Sequence, residues 1–350
     1  MIDTKQLGGK LTKELTQKYS TSSNWNNGQF QNLVKTQLAF NPLLLPRIIY
    51  KQIKNRKFSS PSQPLPVIPF DKNEFVKKHN NITFIWYGHS VLFIRMNGSN
   101  ILIDPMFGPN CSPVVPITTK RFSNNTLDLI DDLPNIDLVL MSHDHYDHLD
   151  LASIERLKLK TKNFFVALGV KRHLEAWGIE SNKIKEFDWW EKYSHNDINF
   201  TFTPTRHFSG RGIKDRQKSL WGGWSLKSSK HNIYFSGDSG YGPHFKEIGN
   251  KLGPFDIGFM ECGQYSDYWR DIHMFPEESV QAAIDSKVYK AMPVHWAGFS
   301  LSFQHKWQEP ADEFCKYAKE KNVQVITPKL GEVFSLNSGN SEYWWENFTL

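Results

Sequence analysis

Cysteine is scarce in this chain of 350 residues: Cys111, Cys262 and Cys315 stand far apart, and none belongs to a C-x-x-C pair. That spacing excludes a disulfide framework and gives no thiolate metal site. It also favours a reducing, cytoplasmic setting. No uninterrupted apolar run reaches the length that crosses a bilayer, and the first residues lack the apolar core of a signal peptide. Charge of one sign is short as well. The net charge is only +6, and it is unevenly spread. Residues 1–80 carry thirteen Lys/Arg against four Asp/Glu, a net of +9, so the remaining 270 residues sum to 6 − 9 = −3. A basic groove for nucleic acid is therefore not expected around any site in the body. Aromatics, at 14%, are plentiful and argue for an ordered core.

The first 80 residues read as a basic extension with a proline-rich linker, and residues 81–350 as the body. Tyr19, Trp25 and Phe30 are isolated aromatics in polar sequence, suited to pinning the arm onto the body. Leu45, Ile48, Ile49 and Ile53 fall at helical spacing among Arg47, Lys51, Lys54, Arg56 and Lys57. Such a helix can pack on a domain or lie in a membrane interface, peripherally bound to anionic lipid. The arm is expected to serve substrate access more than core stability. Pro61, Pro64, Pro66 and Pro69 then predict an extended connection.

In the body, strand-like runs (82–87, 91–96, 100–104, 136–140, 164–168, 184–189, 198–204, 223–226, 233–235, 257–262, 291–294, 323–328 and 331–336) alternate with helical stretches at 151–159, 170–177, 245–252, 277–286 and 310–321. Pro276 with Glu277 and Glu278 marks one helix start. Strand-rich stretches with helices in both halves predict an α+β fold in which helices cover two sheets.

Directly after the 136–140 run come His143, Asp144, His145, Tyr146, Asp147 and His148, in the pattern His-x-His-x-Asp-His. His143 and His145, two apart, point to one side of an extended loop. Asp147 and His148 can then turn toward a second metal. So dense a set of imidazoles and carboxylates suits zinc, with iron and manganese compatible. His207, Asp238 and His295 each follow a later strand-like run and complete seven ligands at strand ends.

That order of ligands resembles the metallo-β-lactamase superfamily. The resemblance implies an αβ/βα four-layer sandwich with two zinc ions at one edge. By position, His143, His145 and His207 would hold one ion; Asp147, His148 and His295 would hold the other; Asp238 would bridge them and serve catalysis. Trp86 to Ser90, Leu102 to Phe107, Lys120 to Phe122, Glu186 to Glu191, Leu220 to Trp224, Gly253 to Asp256 and His295 to Phe299 narrow the resemblance to the N-acylphosphatidylethanolamine-hydrolysing phospholipase D family. It implies a phospholipid or small phosphodiester substrate, with His273 as the catalytic proton donor. The family's Gln-His pair reads Ile272-His273 here, which leaves the lipid specificity open. His89, Asp104 and Asp150 are expected behind the ligands, orienting metal-bound imidazoles. Two other readings stay open on sequence: a soluble-substrate hydrolase resembling the ascorbate-6-phosphate lactonases, and a metal-dependent binding protein without turnover.

Overall fold

The computed structural model describes residues 4–37, 45–55, 57–77, 82–112, 119–212, 214–301, 305–338 and 343–349. Two seven-stranded mixed sheets form its centre. In the first, β3 (Thr83–Trp86), β4 (Leu92–Met96) and β5 (Ser99–Ile103) make an antiparallel meander. β6 (Ile136–Met141), β7 (Thr161–Ala167) and β8 (Ile184–Phe187) extend it in parallel, and β16 (Val333–Ser335) closes the far edge on β3. In the second, β9 (Lys192–His195), β10 (Ile198–Thr203), β11 (Gly223–Lys227) and β12 (Asn232–Phe235) are antiparallel neighbours. β13 (Phe255–Glu261), β14 (Val288–Val294) and β15 (Gln324–Val325) continue in parallel.

The parallel strands explain the apolar runs in the sequence. A strand covered on both faces needs no polar alternation, and β6 and β7 are buried along most of their length. The inner faces meet through aromatic contacts such as Phe84–Phe259, with ring centroids 5.5 Å apart, and Phe187–Trp224 at 5.1 Å. A one-turn helix, α4 (Leu129–Asp132), precedes β6, and helices α5 (Leu151–Leu157) and α6 (Lys171–Ala176) follow β6 and β7. α7 (His244–Lys251), α8 (Pro276–Asp285) and α9 (Glu309–Glu320) belong to the second half, where α8 packs on β13, β14 and α9. α8 begins as its sequence predicts: Pro276 occupies the first turn, and the Glu278 carboxylate accepts the Phe275 amide at 3.0 Å. The observed layers are the α+β sandwich expected. The 323–328 run is shorter as a strand than its composition suggests, and β9, exposed on three of four residues, was not legible at all.

The arm meets one expectation and departs from another. Residues 4–37 form α1 (Lys13–Tyr19) and a small hairpin, β1 (Trp25–Asn26) with β2 (Gln29–Phe30). Tyr19 and Phe30 are fully buried, and Tyr19, Trp25 and Phe30 pack edge to face or tilted against one another. Further ties to the body are polar: Trp177 donates to Lys5 O at 2.7 Å, Arg172 to Gly9 O at 3.2 Å, and Phe30 N to Gln217 O at 2.9 Å. This segment is therefore packed into the fold through the aromatics expected to pin it, and the expectation that the arm serves substrate access more than core stability does not extend to it. α2 (Leu45–Asn55) is different: Ile49, Tyr50 and Ile53 are 44%, 66% and 70% exposed. α3 (Lys72–Lys77) precedes the body. The predicted helix lies partly outside the described side chains, since those of Leu45, Ile48 and Arg56 are not among them.

Candidate metal centre

Every candidate ligand follows the carboxyl end of a strand, so the two sheets deliver them to one place. β6 leads into His143, His145, Asp147 and His148; β10 into His207; β12 into Asp238; β14 into His295; β3 into His89; β5 into Asp104. An antiparallel bridge between His89 and Trp296 joins the sheets there, with His89 N donating to Trp296 O at 2.7 Å and His295 N to His89 O at 2.9 Å. Gly237 lets Asp238 approach. It adopts φ +61°, and a Cβ on it would meet Gly222 O at 2.3 Å.

The seven side chains named from sequence converge in two groups. His143, His145 and His207 form the first: His145 Nδ1 lies 2.9 Å from His143 Nε2 and 3.2 Å from His207 Nε2. Three ring nitrogens this close cannot all be satisfied by one another's protons, which fits a cation among them. Asp147, His148 and His295 form the second, with Asp147 Oδ2 at 3.6 Å from His148 Nε2 and 3.3 Å from His295 Nε2. Asp238 Oδ2 lies between the groups, 3.1 Å from both His148 Nε2 and His295 Nε2, 3.9 Å from His143 Nε2 and 3.8 Å from His207 Nε2. Its other oxygen, Oδ1, is buried without a partner, a further atom suited to a cation.

Burial and neighbours set the charges. Burial, reinforced by adjacent imidazoles, holds His143 well below its usual pKa, and burial lowers His207 likewise despite Asp238. Both shifts favour the neutral ring that a metal ligand requires. Burial also disfavours the charged forms of Asp147 and Asp238, but His148 and His295 outweigh it and hold both carboxyls well below the usual range.

The surrounding residues divide. Asp104 Oδ2 stands 2.8 Å from His148 Nδ1, and the same carboxylate accepts Ser142 N at 2.7 Å and Ser142 Oγ at 2.5 Å. It can orient the His148 ring from behind, as a carboxylate does for a metal-bound imidazole. His89 lies further forward than expected: its Nε2 is 3.0 Å from Asp147 Oδ2, in the same group as Asp147, His148 and His295. Asp150 does not face an imidazole. Its Oδ2 caps α5 by accepting Ser153 N at 3.0 Å, so the orienting role expected of it is replaced by a helix-capping one. His273 joins from the loop before α8, its ring 5.0 Å from that of His207.

Two contributors were missed in the sequence. Glu261, fully buried at the end of β13, lies 3.6 Å from His273 Nδ1 and 3.9 Å from His295 Nδ1. Its position was legible in principle: it ends a buried strand beside the one that delivers His295. Asp144, an intervening residue of the His-x-His motif, turns away from the cluster. It accepts Ser219 Oγ at 2.7 Å and Gly210 N at 2.8 Å, and its Oδ2 is 3.3 Å from His173 Nε2, so it ties the motif to the 209–219 loop.

Residues 99–296 match the β-lactamase superfamily domain. The chain belongs to the metallo-β-lactamase superfamily. Its sequence is 34% identical over 316 residues to an uncharacterised protein of Mycobacterium tuberculosis, covering 89% of this chain and 84% of that one. It is 29% identical over 286 residues to N-acyl-phosphatidylethanolamine-hydrolyzing phospholipase D 1 of Caenorhabditis elegans, covering 77% and 80%. Its fold is similar to that of a metallo hydrolase from the archaeon Ignicoccus hospitalis, at TM-score 0.57 and 19% identity over 74% of this chain and 100% of the other. Membership of this superfamily makes the protein a metal-dependent hydrolase, and the His/Asp cluster is where a divalent metal fits. No helix among the described residues is long and apolar enough to cross a membrane.

Proposed function

We propose that the protein is a binuclear phosphodiesterase of phospholipase D type that cleaves N-acylated phosphatidylethanolamine into an N-acylethanolamine and phosphatidic acid. The observation that carries this reading is the placement of Asp238 between two metal-competent groups with His273 beside it. His143, His145 and His207 would hold one zinc; Asp147, His148 and His295 the other; Asp238 would contact both. When bound, the ions supply a water acidified toward neutral pH and positive charge for the phosphoryl oxygens.

The chain's own residues do the rest. Asp238 and Asp147, whose carboxyls are held toward the ionised form, would supply negative charge to both ions. Asp104 fixes the ring of His148. As the water oxygen bonds to phosphorus, the bond from phosphorus to the ethanolamine oxygen breaks, and that oxygen needs a proton. His273 would give it, since its side chain beside His207 is 12% exposed and so open to a substrate. A lipid substrate is further supported by the similarity to the worm phospholipase and by α2, a basic helix with exposed apolar residues. Peripheral contact with anionic lipid through that helix is part of the proposal.

The test is incubation of the zinc-loaded protein with N-acylated phosphatidylethanolamine in mixed micelles, with both products read by mass spectrometry. Equal formation of N-acylethanolamine and phosphatidic acid, abolished by a chelator, is expected. Cleavage of a soluble lactone but no phosphodiester would overturn the reading in favour of a lactonase.

A further inference from the structure

His207 stands in an awkward place for a metal ligand. Among the described residues between the end of β10 at Thr203 and the start of β11 at Gly223 there is no helix or strand. A ligand on such a loop needs anchors from elsewhere, and its buried backbone groups need partners. Both functions fall to one side chain of the arm. Asn32 Oδ1 accepts His207 N at 3.0 Å, and Asn32 Nδ2 donates to His207 O at 2.8 Å, across 175 residues of sequence. A carboxamide carries a donor and an acceptor at the spacing of a peptide group, so it can mate with both backbone groups of one residue. Trp221 Nε1 holds the carboxamide in turn, donating to Oδ1 at 3.1 Å.

The neighbouring bonds run the same way. Arg206 Nη2 donates to Lys35 O at 2.9 Å and Nε to Thr36 Oγ1 at 3.1 Å. Asp271 accepts Gln37 N at 2.8 Å and pairs with Arg206 at 2.9 Å. His207 Nδ1 lies 3.0 Å from Ile272 O. Residues 32–37 thus strap together the loop that carries His207 and the loop that carries His273.

We propose that Asn32 is a positioning residue for the metal centre, clamping the backbone of His207 so that its imidazole is held toward His145 before metal arrives. The proposal rests on the reading of His207 as a ligand. Preorganising a ligand slows its departure from the metal, so loss of the clamp speeds metal release from the group containing His207.

The experiment compares Asn32→Leu, which removes donor and acceptor, Asn32→Asp, which keeps the acceptor but sets an anionic oxygen against His207 O in place of the donor, and Asn24→Ala. Asn24 belongs to the same arm, and its carboxamide donates to Asp188 at 2.8 Å, a residue that touches none of the candidate ligands. Two readouts are taken: the rate at which a chromogenic chelator strips zinc, and hydrogen exchange of the 204–208 peptide in metal-free protein. Asn32→Leu is expected to release one zinc equivalent at least tenfold faster and to exchange 204–208 at least tenfold faster. Asn32→Asp should also exceed wild type in both rates, and Asn24→Ala should match wild type. Wild-type behaviour of Asn32→Leu, or equal acceleration by Asn24→Ala, would overturn the clamp. If Asn32→Leu does not fold, Asn32→Asp decides by the same two readouts. If the wild-type protein binds no zinc, the metal reading fails, and hydrogen exchange still tests the clamp by itself.

Discussion

The ring of His273 stacks on that of His295, with centroids 5.2 Å apart and planes 13° from parallel. A candidate proton donor is thus held against a candidate metal ligand, with Glu261 behind both. If His273 protonates the leaving oxygen, its removal matters in proportion to the basicity of that oxygen. His273→Ala should lower kcat on an alkyl phosphodiester by about 10²-fold or more. On bis(p-nitrophenyl) phosphate, whose leaving group departs without a proton, the loss should stay below about tenfold. Equal losses on both substrates would show that His273 shapes the site without donating.

Asp238 makes the sharper prediction about the centre itself. Its Oδ2 lies 3.1 Å from His148 and His295 of one group and 3.9 and 3.8 Å from His143 and His207 of the other. Asp238→Asn keeps the shape and removes the charge. Elemental analysis should find about two zinc per wild-type chain and at most one in the variant, with the far-ultraviolet circular dichroism unchanged. Two zinc and wild-type turnover in Asp238→Asn would remove it from the bridging position.

The convergence of the candidate ligands was readable in the sequence because each follows a short, apolar, β-rich run, and strand ends are where a two-sheet sandwich gathers side chains. His143, His145, Asp147 and His148 announce themselves by density; His207, Asp238 and His295 gain meaning only from the first four. Asp150 shows the limit. Its place beside the motif suggested a partner for an imidazole, yet an aspartate just before a helix is also an N-cap, and local hydrogen bonding decided the matter. Asn32 was illegible for another reason. It lies in polar, low-periodicity sequence, and its role arises from contact with His207, 175 positions away.

Acid should weaken the fold through a histidine outside the cluster. His244 is buried at the start of α7 with its Nε2 3.0 Å from Ser239 Oγ. Burial, aided by the nearby Arg206 charge, pulls its pKa down to about 3 from 6.5. The unfolded chain therefore binds a proton that the folded chain refuses. Stability from this group is complete above pH 6.5 and is lost as pH falls toward 3. Between pH 6.5 and pH 5 the loss is about 2 kcal/mol. Urea unfolding of metal-free protein at pH 7.5 and 5.0 should show a pH-dependent loss smaller by about that amount in His244→Gln than in wild type. An unchanged difference would mean that His244 titrates alike in both states.

The division of the first 57 residues into a packed arm and an exposed helix changes how membrane contact must be tested. Deleting all of them would strip Tyr19 and Phe30 from the core and damage the protein for reasons unrelated to lipid. α2 can be probed alone. Ile49, Tyr50 and Ile53 stand exposed beside Arg47 and Lys54, and Lys51 Nζ lies 5.4 Å from the Tyr268 ring, on the loop that leads to His273. A basic helix gains affinity both from apolar insertion and from anionic headgroups. Replacing Ile49, Tyr50 and Ile53 with serine removes the insertion, worth about 1.5–3 kcal/mol for each fully buried apolar side chain. The triple variant should therefore bind anionic vesicles at least about tenfold more weakly and lose activity on vesicle substrate in step. Its melting temperature and its hydrolysis of bis(p-nitrophenyl) phosphate should stay at wild-type values. Salt should weaken the binding of the intact protein, since headgroup attraction is screened within about 10 Å at 0.1 M. Vesicle binding unchanged by the triple substitution would show that α2 meets something other than lipid, and a lowered melting temperature would show that its apolar face belongs to the fold.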